Sequence, residues 1–324
     1  MLCTCFKRLT NFNTFVQTME GLITKSTGSW YQVQTKDGQK FDCRIKGIFR
    51  TKGITTTNPI AVGDIVDFEL EPEQETGVIT KLHPRKNYII RKSINLSKQA
   101  QVIAANLDQA FLIVTLASPR TSLGFIDRFL VTAEAYSIPA ALVFNKLDLF
   151  SDEGLEILAD YKAVYENIGY PCYEISALEG TNIEQLAELI QNKVTLFSGH
   201  SGVGKSSLIN VLLPDLKLRT TEISEWHDKG MHTTTFAEMF ELPGGGFIID
   251  TPGIRELGVI DIEKQELSHF FPEMRALMNQ CRYNNCRHIN EPGCAVLKAV
   301  ENGEIELSRY ESYLSIYHGN DTRA

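Results

Sequence analysis

The sequence predicts an α/β domain on a mostly parallel sheet, with an all-β barrel of OB type before it and a helical, zinc-binding segment after it. Three observations carry this. Short strand-like runs crowd residues 19–83, strands and helices alternate over residues 109–261, and three cysteines with one histidine cluster between Cys281 and Cys294. The implied division is an extension over 1–18, the barrel over 19–83, a linker over 84–108, the α/β domain over 109–261 and the zinc-binding segment over 262–324.

In the barrel, Gly21–Thr24, Trp30–Thr35, Lys40–Ile45, Ile65–Leu70 and Gly77–Leu82 read as strands, with Asp37-Gly38 as a hairpin turn and Val62-Gly63-Asp64 as a break. Short strands this closely spaced fit a small OB-type barrel, although an SH3-like barrel would give much the same pattern. His83–Lys92 is a basic connector. Beyond it, Ala110–Leu116, Ala140–Phe144, Cys172–Ile175 and Val194–Ser198 read as strands and residues 126–136, 153–168, 183–192 and 205–212 as helices. Phe236–Leu242 and Gly246–Ile249 flank a Pro-Gly-Gly turn as a hairpin. Such alternation buries a parallel sheet between helices, and ligands of these sheets sit at the carboxyl ends of the strands. The segment from Ile262 looks helical again, with helices at Ala295–Glu301 and Ser308–Tyr317.

Composition narrows the function classes. No run of about 18 apolar residues exists, so a helical membrane span is excluded. The first residues lack the apolar core of an export signal, and Met19-Glu20-Gly21 looks more like the working start; a cytoplasmic location is expected. A reducing compartment makes the Cys281–Cys294 cluster a metal site rather than a disulfide framework, while Cys3, Cys5, Cys43 and Cys172 read as packing or surface residues. The net charge of −8 argues against a nucleic-acid partner for the chain as a whole. Residues 19–98, however, hold 13 Lys/Arg against 9 Asp/Glu, so any polyanion contact should favour this N-terminal domain.

Gly199-His200-Ser201-Gly202-Val203-Gly204-Lys205-Ser206 fits the phosphate-loop pattern, with a strand before it and a helix behind it. Its glycines let backbone N–H groups face the phosphates, Lys205 would reach the β- and γ-phosphates, and the Ser206 hydroxyl would hold Mg²⁺. The helix N-terminus adds favourable charge. Alone, this loop would suit an ATPase or a kinase equally well. Asn145-Lys146-Leu147-Asp148 separates them, because the Asp148 carboxylate can accept from guanine N1–H and N2–H₂, which adenine does not offer. Asn145 would brace the loop and touch the base edge, and the Lys146 stem would pack over the ring. Ser176-Ala177 follows one αβ unit later, where backbone N–H near Ala177 would contact O6.

Asp250-Thr251-Pro252-Gly253 closes the set: Asp250 would hold Mg²⁺ through water, and the Gly253 N–H would touch the γ-phosphate. Ile254 stands where many GTPases place a water-orienting glutamine. His232, directly before Thr233-Thr234-Thr235, is the candidate to act in its stead, because an imidazole can orient or deprotonate water near neutral pH. One of Thr233, Thr234 and Thr235 should close over Mg²⁺. These motifs run in a rotated order. The base-reading pair comes first and the γ-phosphate sensor last, so whatever follows Gly253 is wired directly to the nucleotide state.

Cys281, Cys286, His288 and Cys294 offer three thiolates and an imidazole within a short span, a closed tetrahedral set for structural Zn²⁺. A segment the size of residues 262–324 buries too little core to do without a staple.

Taken together, the chain resembles the ribosome small-subunit-dependent GTPase A proteins of bacteria from residue 19 to about 318. The resemblance is carried by Asn145–Asp148, Gly199–Ser207, His232-Thr233-Thr234-Thr235, Asp250–Gly253 and Cys281/Cys286/His288/Cys294. It implies GTP hydrolysis stimulated by the small ribosomal subunit during its late maturation, rRNA contacts by the barrel and zinc domains, a place for Ser207 in the nucleotide site, and a hydrolytic role for His232. A monomer without a membrane partner is expected. Residues 1–18 have no counterpart in the family, and Met231 stands where Arg or Lys is frequent. The competing reading is an rRNA-binding module whose guanine-nucleotide site regulates without hydrolysing; the intact Lys205, Ser206, Asp250 and Asp148 oppose it. A kinase is opposed by Asp148 and by the lack of a second substrate motif.

Overall fold

Five strands close on themselves at the N-terminal end: β1 (Thr18–Ser26), β2 (Tyr31–Thr35), β3 (Lys40–Ile45), β4 (Ile65–Leu70) and β5 (Thr76–Leu82). Here and below the fold is that of a computed structural model, which describes residues 18–45, 59–71, 74–92, 100–216, 237–250 and 262–319. The order is β1-β2-β3-β5-β4, and β4 returns to pair with β1. All contacts are antiparallel except β3 with β5, which run parallel. A simple meander gives no parallel pair, so this crossover makes the barrel OB-like. Alternate residues point inward, and Ile23, Tyr31, Val33, Cys43, Val66, Phe68 and Ile79 fill the interior.

Residues 84–108, expected to be a linker, contain a two-stranded antiparallel sheet of β6 (Tyr88–Lys92) and β7 (Ala100–Ala105). The β-favouring cores Tyr88-Ile89-Ile90 and Val102-Ile103 are short, and the charges around Arg91-Lys92 hide their alternation in the sequence. Asn87 ties the hairpin's two ends together: Nδ2 donates to the Leu107 carbonyl and Oδ1 accepts from the Leu107 N–H, both at 2.8 Å.

The α/β unit places β10 (Cys172–Glu174), β9 (Ala140–Phe144), β8 (Gln109–Val114), β11 (Val194–Ser198) and β13 (Phe247–Asp250) side by side and parallel, with β12 (Glu238–Glu241) antiparallel at the end. Its central strands are largely apolar because both faces are covered, with Thr195 and Ser198 of β11 as buried polar exceptions. Helices α1 (Leu123–Ala135) and α2 (Asp152–Asn167) pack on one face. Helices α3 (Ile183–Ile190) and α4 (Lys205–Leu212) pack on the other. Ser122 caps α1 by accepting from Phe125 N, and Ser151 caps α2, whose first turn carries Asp152 and Glu153 against the helix dipole. The barrel joins this sheet through β1: Lys25 opposes Glu238 in register, and their side chains form an ion pair at 2.9 Å.

The C-terminal segment begins with short turns rather than a long helix, at Leu267–Phe270, α5 (Pro272–Arg275) and Met278–Gln280. Then come α6 (Ala295–Glu301) and α7 (Leu307–His318). Its core of Leu267, Phe271, Met274, Val296, Tyr313 and Tyr317 includes Val131 from α1. Helix α1 is therefore sandwiched between the sheet and this tail, which is why it buries almost its whole circumference. The joint contains a charge cluster. Arg309, 1% exposed, donates to Asp127 Oδ1 at 2.7 Å and to Glu273 at 2.8 and 3.3 Å. Tyr165 OH also donates to Asp127 Oδ1, at 2.9 Å, while Asp127 Oδ2 is buried with no partner among the described residues. Such a cluster stabilises little, because desolvation offsets most of the attraction; breaking it from one side costs about 3–5 kcal/mol.

Candidate functional site

The carboxyl ends of β9, β10, β11 and β13 bring the separate motifs to one edge of the sheet. At the end of β11 the loop 199–204 turns into α4. Two of its glycines are required sterically. Gly199 has φ 146° and Gly204 φ 95°; a Cβ at Gly199 would stand 2.4 Å from the Ile113 carbonyl oxygen and one at Gly204 2.3 Å from Asn145 Nδ2. Lys205 folds back over the loop and donates to the carbonyls of Gly199 at 2.5 Å and His200 at 2.9 Å. Burial lowers its pKa, against which the nearby Asp250 carboxylate acts to raise it. Asp250 ends β13, and Ser206 follows Lys205 in the first turn of α4.

Asn145 is a strut. Buried to 1% exposure, it donates from Nδ2 to the Val203 carbonyl at 2.9 Å and accepts at Oδ1 from Ala177 N at 3.1 Å. One side chain thus joins the base-reading turn, the Ser176-Ala177 turn and the phosphate loop. These bonds engage both of its polar ends, as well as the Ala177 N–H that the sequence offered to O6. Lys146 adopts a left-handed backbone (φ 68°) and sends Nζ to the Ser118 carbonyl at 2.5 Å; burial lowers its pKa. Leu147 and Asp148 open a single 3₁₀ turn. The Ser176 hydroxyl donates to Asp148 Oδ1 at 2.5 Å and accepts from Glu179 N at 3.1 Å, so it fixes the orientation of that carboxylate.

The β8–α1 loop also borders this site, and sequence reasoning missed it. Thr115 Oγ1 donates to the Pro119 carbonyl at 2.5 Å, Ser118 receives Lys146, and the Phe125 ring stacks on His200 at 3.7 Å between centroids. Nothing local in Ser118, Pro119 or Ser122 points to a phosphate loop about eighty residues away. His232, Thr233, Thr234, Thr235 and Gly253 lie outside the described residues.

Cys281, Cys286, His288 and Cys294 converge, their ligand atoms all within 4.8 Å of one another. His288 Nδ1 lies 3.6 Å from Cys281 Sγ and 3.3 Å from Cys294 Sγ, and those two sulfurs are 4.0 Å apart. A tetrahedral Zn²⁺ with Zn–S of about 2.3 Å and Zn–N of about 2.0 Å spaces its ligands by roughly 3.5–3.8 Å, so the set fits that ion. Burial pushes the Cys286 thiol up to about 12 and raises that of Cys294, so thiolates there need a cation to balance them. Tyr310 and Tyr313 fasten the loop by donating to the carbonyls of His288 at 2.8 Å and Arg287 at 2.6 Å. A second group, Glu20, Asp67 and His83 on the barrel, already has Lys36 paired with Glu20 and Lys81 with Asp67, and His83 Nε2 lies 2.7 Å from Asp67 Oδ1.

The rotated motif order leads to a prediction. Chelation of zinc, or Cys286→Ser, should melt residues 262–324 while guanine-nucleotide binding survives, because metal binding and folding share one free energy there. Hydrogen exchange of the tail and calorimetry of nucleotide binding check the two halves. A tail that stays protected after chelation would show that the metal is not its staple.

A parallel sheet entered in rotated order, with a phosphate loop on its central strand and an OB-like barrel in front, defines a circularly permuted GTPase. The chain belongs to the RsgA GTPase family, whose model matches residues 82–260; the RsgA N-terminal domain model matches residues 20–79. It is 56% identical over 298 residues to the small ribosomal subunit biogenesis GTPase RsgA of Bacteroides fragilis, covering 92% of this chain and 96% of that protein. Identity to the protein of the same name from Flavobacterium psychrophilum is 54% over 305 residues, 94% of each chain. Among solved structures, YjeQ from Thermotoga maritima superposes with a TM-score of 0.76 at 35% identity, over 94% of this chain and 98% of that one. YloQ, a circularly permuted GTPase, gives 0.72 at 31% identity over 96% and 98%. Family membership implies GTP hydrolysis. No helix among the described residues is long and apolar enough to cross a membrane.

Proposed function

We propose that this chain is a GTP-driven timer of small ribosomal subunit assembly: the GTP form docks on the maturing subunit, the subunit stimulates hydrolysis, and hydrolysis drives release. The observation that carries the reading is the convergence of Asn145, Asp148, Ser176 and Lys205 at one sheet edge in a chain whose relatives are named for small-subunit biogenesis. In this reading Asp148 reads the guanine edge. Lys205 exchanges its bonds to the loop carbonyls for bonds to the β- and γ-phosphates, and the amides of residues 199–207 cradle those phosphates. Ser206 and Asp250 are the residues that would hold Mg²⁺, which neutralises charge on the phosphate oxygens when bound. Thr233–Thr235 and Gly253 would respond to the γ-phosphate, and His232 would orient the attacking water. Zn²⁺ on Cys281, Cys286, His288 and Cys294 would be structural. The partner is the small subunit with its rRNA, met in the cytoplasm by a monomer whose excess of basic residues over 19–98 lies in the connector that follows the barrel, at Arg85, Lys86, Arg91, Lys92 and Lys98.

Steady-state turnover of GTP and of ATP, each with and without purified small subunits, tests this. GTP turnover should rise by orders of magnitude on small subunits and ATP turnover should stay at background. Tight GTP binding without stimulated turnover would favour a regulatory rRNA-binding module, and ATP turnover would overturn the assignment of Asp148.

A further inference from the structure

Helix α1 touches both the phosphate loop and the metal-stapled tail, through residues two positions apart. At its first turn the Phe125 ring, 3% exposed, stacks on His200 of the phosphate loop with centroids 3.7 Å apart. One half-turn on, Asp127 is fully buried and accepts from Arg309 of α7, which is itself held by Glu273 of α5 and lies over the Phe271 ring at 4.7 Å. Further along, Val131 enters the tail core and Glu134 pairs with Arg275 at 2.9 Å. Every tail contact named here falls on this helix or within the tail.

The chemistry of this joint is that of an orienting device. Two carboxylates share one guanidinium in a dry interface, and Asp127 Oδ2 is buried without a partner among the described residues. Apolar side chains of the same size would bind the tail at least as well, so stability gives no account of the charges. A directional guanidinium clamp instead allows one angle between α1 and α7 and penalises all others. The same helix carries the ring against which His200 rests, so a shift of the phosphate loop on binding nucleotide displaces the clamp.

We propose that Phe125, Asp127 and Arg309 are positioning residues that make α1 a lever between phosphate-loop occupancy and tail orientation. This route is independent of the covalent connection through residues 251–261. It rests on the nucleotide-binding reading above. Its consequence is reciprocal: if nucleotide sets the tail angle, a tail held at one angle by a partner must change nucleotide affinity by the same factor.

The experiment is hydrogen exchange of tail peptides over residues 296–318 in the full chain, without nucleotide, with GDP and with a non-hydrolysable GTP analogue. Calorimetry confirms occupancy, and zinc content confirms that the tail is folded. In the wild type the analogue should change tail exchange by about five- to 150-fold, the usual range for coupling between separate sites. In Phe125→Leu and in Arg309→Met that response should vanish although the analogue still binds. Phe125→Leu alters nothing in the tail, so it decides the matter if Arg309→Met loses its zinc. A wild-type-sized response in Phe125→Leu would assign the coupling to residues 251–261 and overturn the lever, as would a wild-type tail indifferent to bound analogue. A wild type that binds no analogue would instead fail the GTPase reading, and the lever with it.

Discussion

Asp148→Asn should lower GTP affinity by on the order of 10³-fold or more and transfer preference to xanthine nucleotide, because a site built around hydrogen bonds rejects a mismatched partner strongly. The geometry says which way the new amide will face. The Ser176 hydroxyl donates to Asp148 Oδ1 and is itself held by Glu179 N, so it continues to demand an acceptor at that position. In the variant the amide oxygen satisfies Ser176, and Nδ2 is left facing the base. There it meets the N2–H₂ of guanine donor to donor, whereas the C2 oxygen of xanthine accepts from it; the N1–H is common to both bases. Calorimetric titration of both nucleotides into both proteins reads the switch. Unchanged GTP affinity in Asp148→Asn would mean that another group reads the base.

Signals confined to one strand, helix or loop were legible from the sequence; signals that need two distant segments were not. The barrel strands, the phosphate loop with its helix and the Cys/His set all follow from local periodicity or spacing, and β3, β4, β9, β11, α4 and α6 fall where periodicity puts them. The parallel β3–β5 pair that separates an OB-like barrel from an SH3-like one is a long-range pairing with no local mark. The hairpin of β6 and β7 stayed hidden because its apolar cores are short and end in charge. At the site, Asp148 and Lys205 were legible as types in a pattern. Asn145 was expected to brace the loop and touch the base edge; the partners of its brace, Val203 and Ala177, are residues that only the folded sheet brings to it. Arg309 and Asp127 lie far apart in sequence and gave no signal: a buried ion pair reads in sequence as two ordinary surface charges.

His232→Ala should leave GTP affinity within a few-fold and cut subunit-stimulated turnover by on the order of 10²-fold or more, the usual scale for a positioned acid or base. Ile254 cannot orient water, so the group that does so must come from elsewhere in the chain or from the subunit. The chain that carries His232 re-enters the sheet at β12, where Glu238 stands in register with Asp250 on one side and with Lys25 of the barrel on the other. In the proposed scheme, docking of the barrel would act on β12 through the Lys25–Glu238 pair. Such a linkage would couple subunit docking to the strand that follows His232, and it makes stimulation, rather than basal turnover, the quantity that the substitution should remove. Release waits on hydrolysis in this scheme, so the variant loaded with GTP should remain on small subunits through sedimentation while the wild type leaves. Wild-type turnover by His232→Ala on subunits would assign the water-orienting group to another residue or to the ribosome itself.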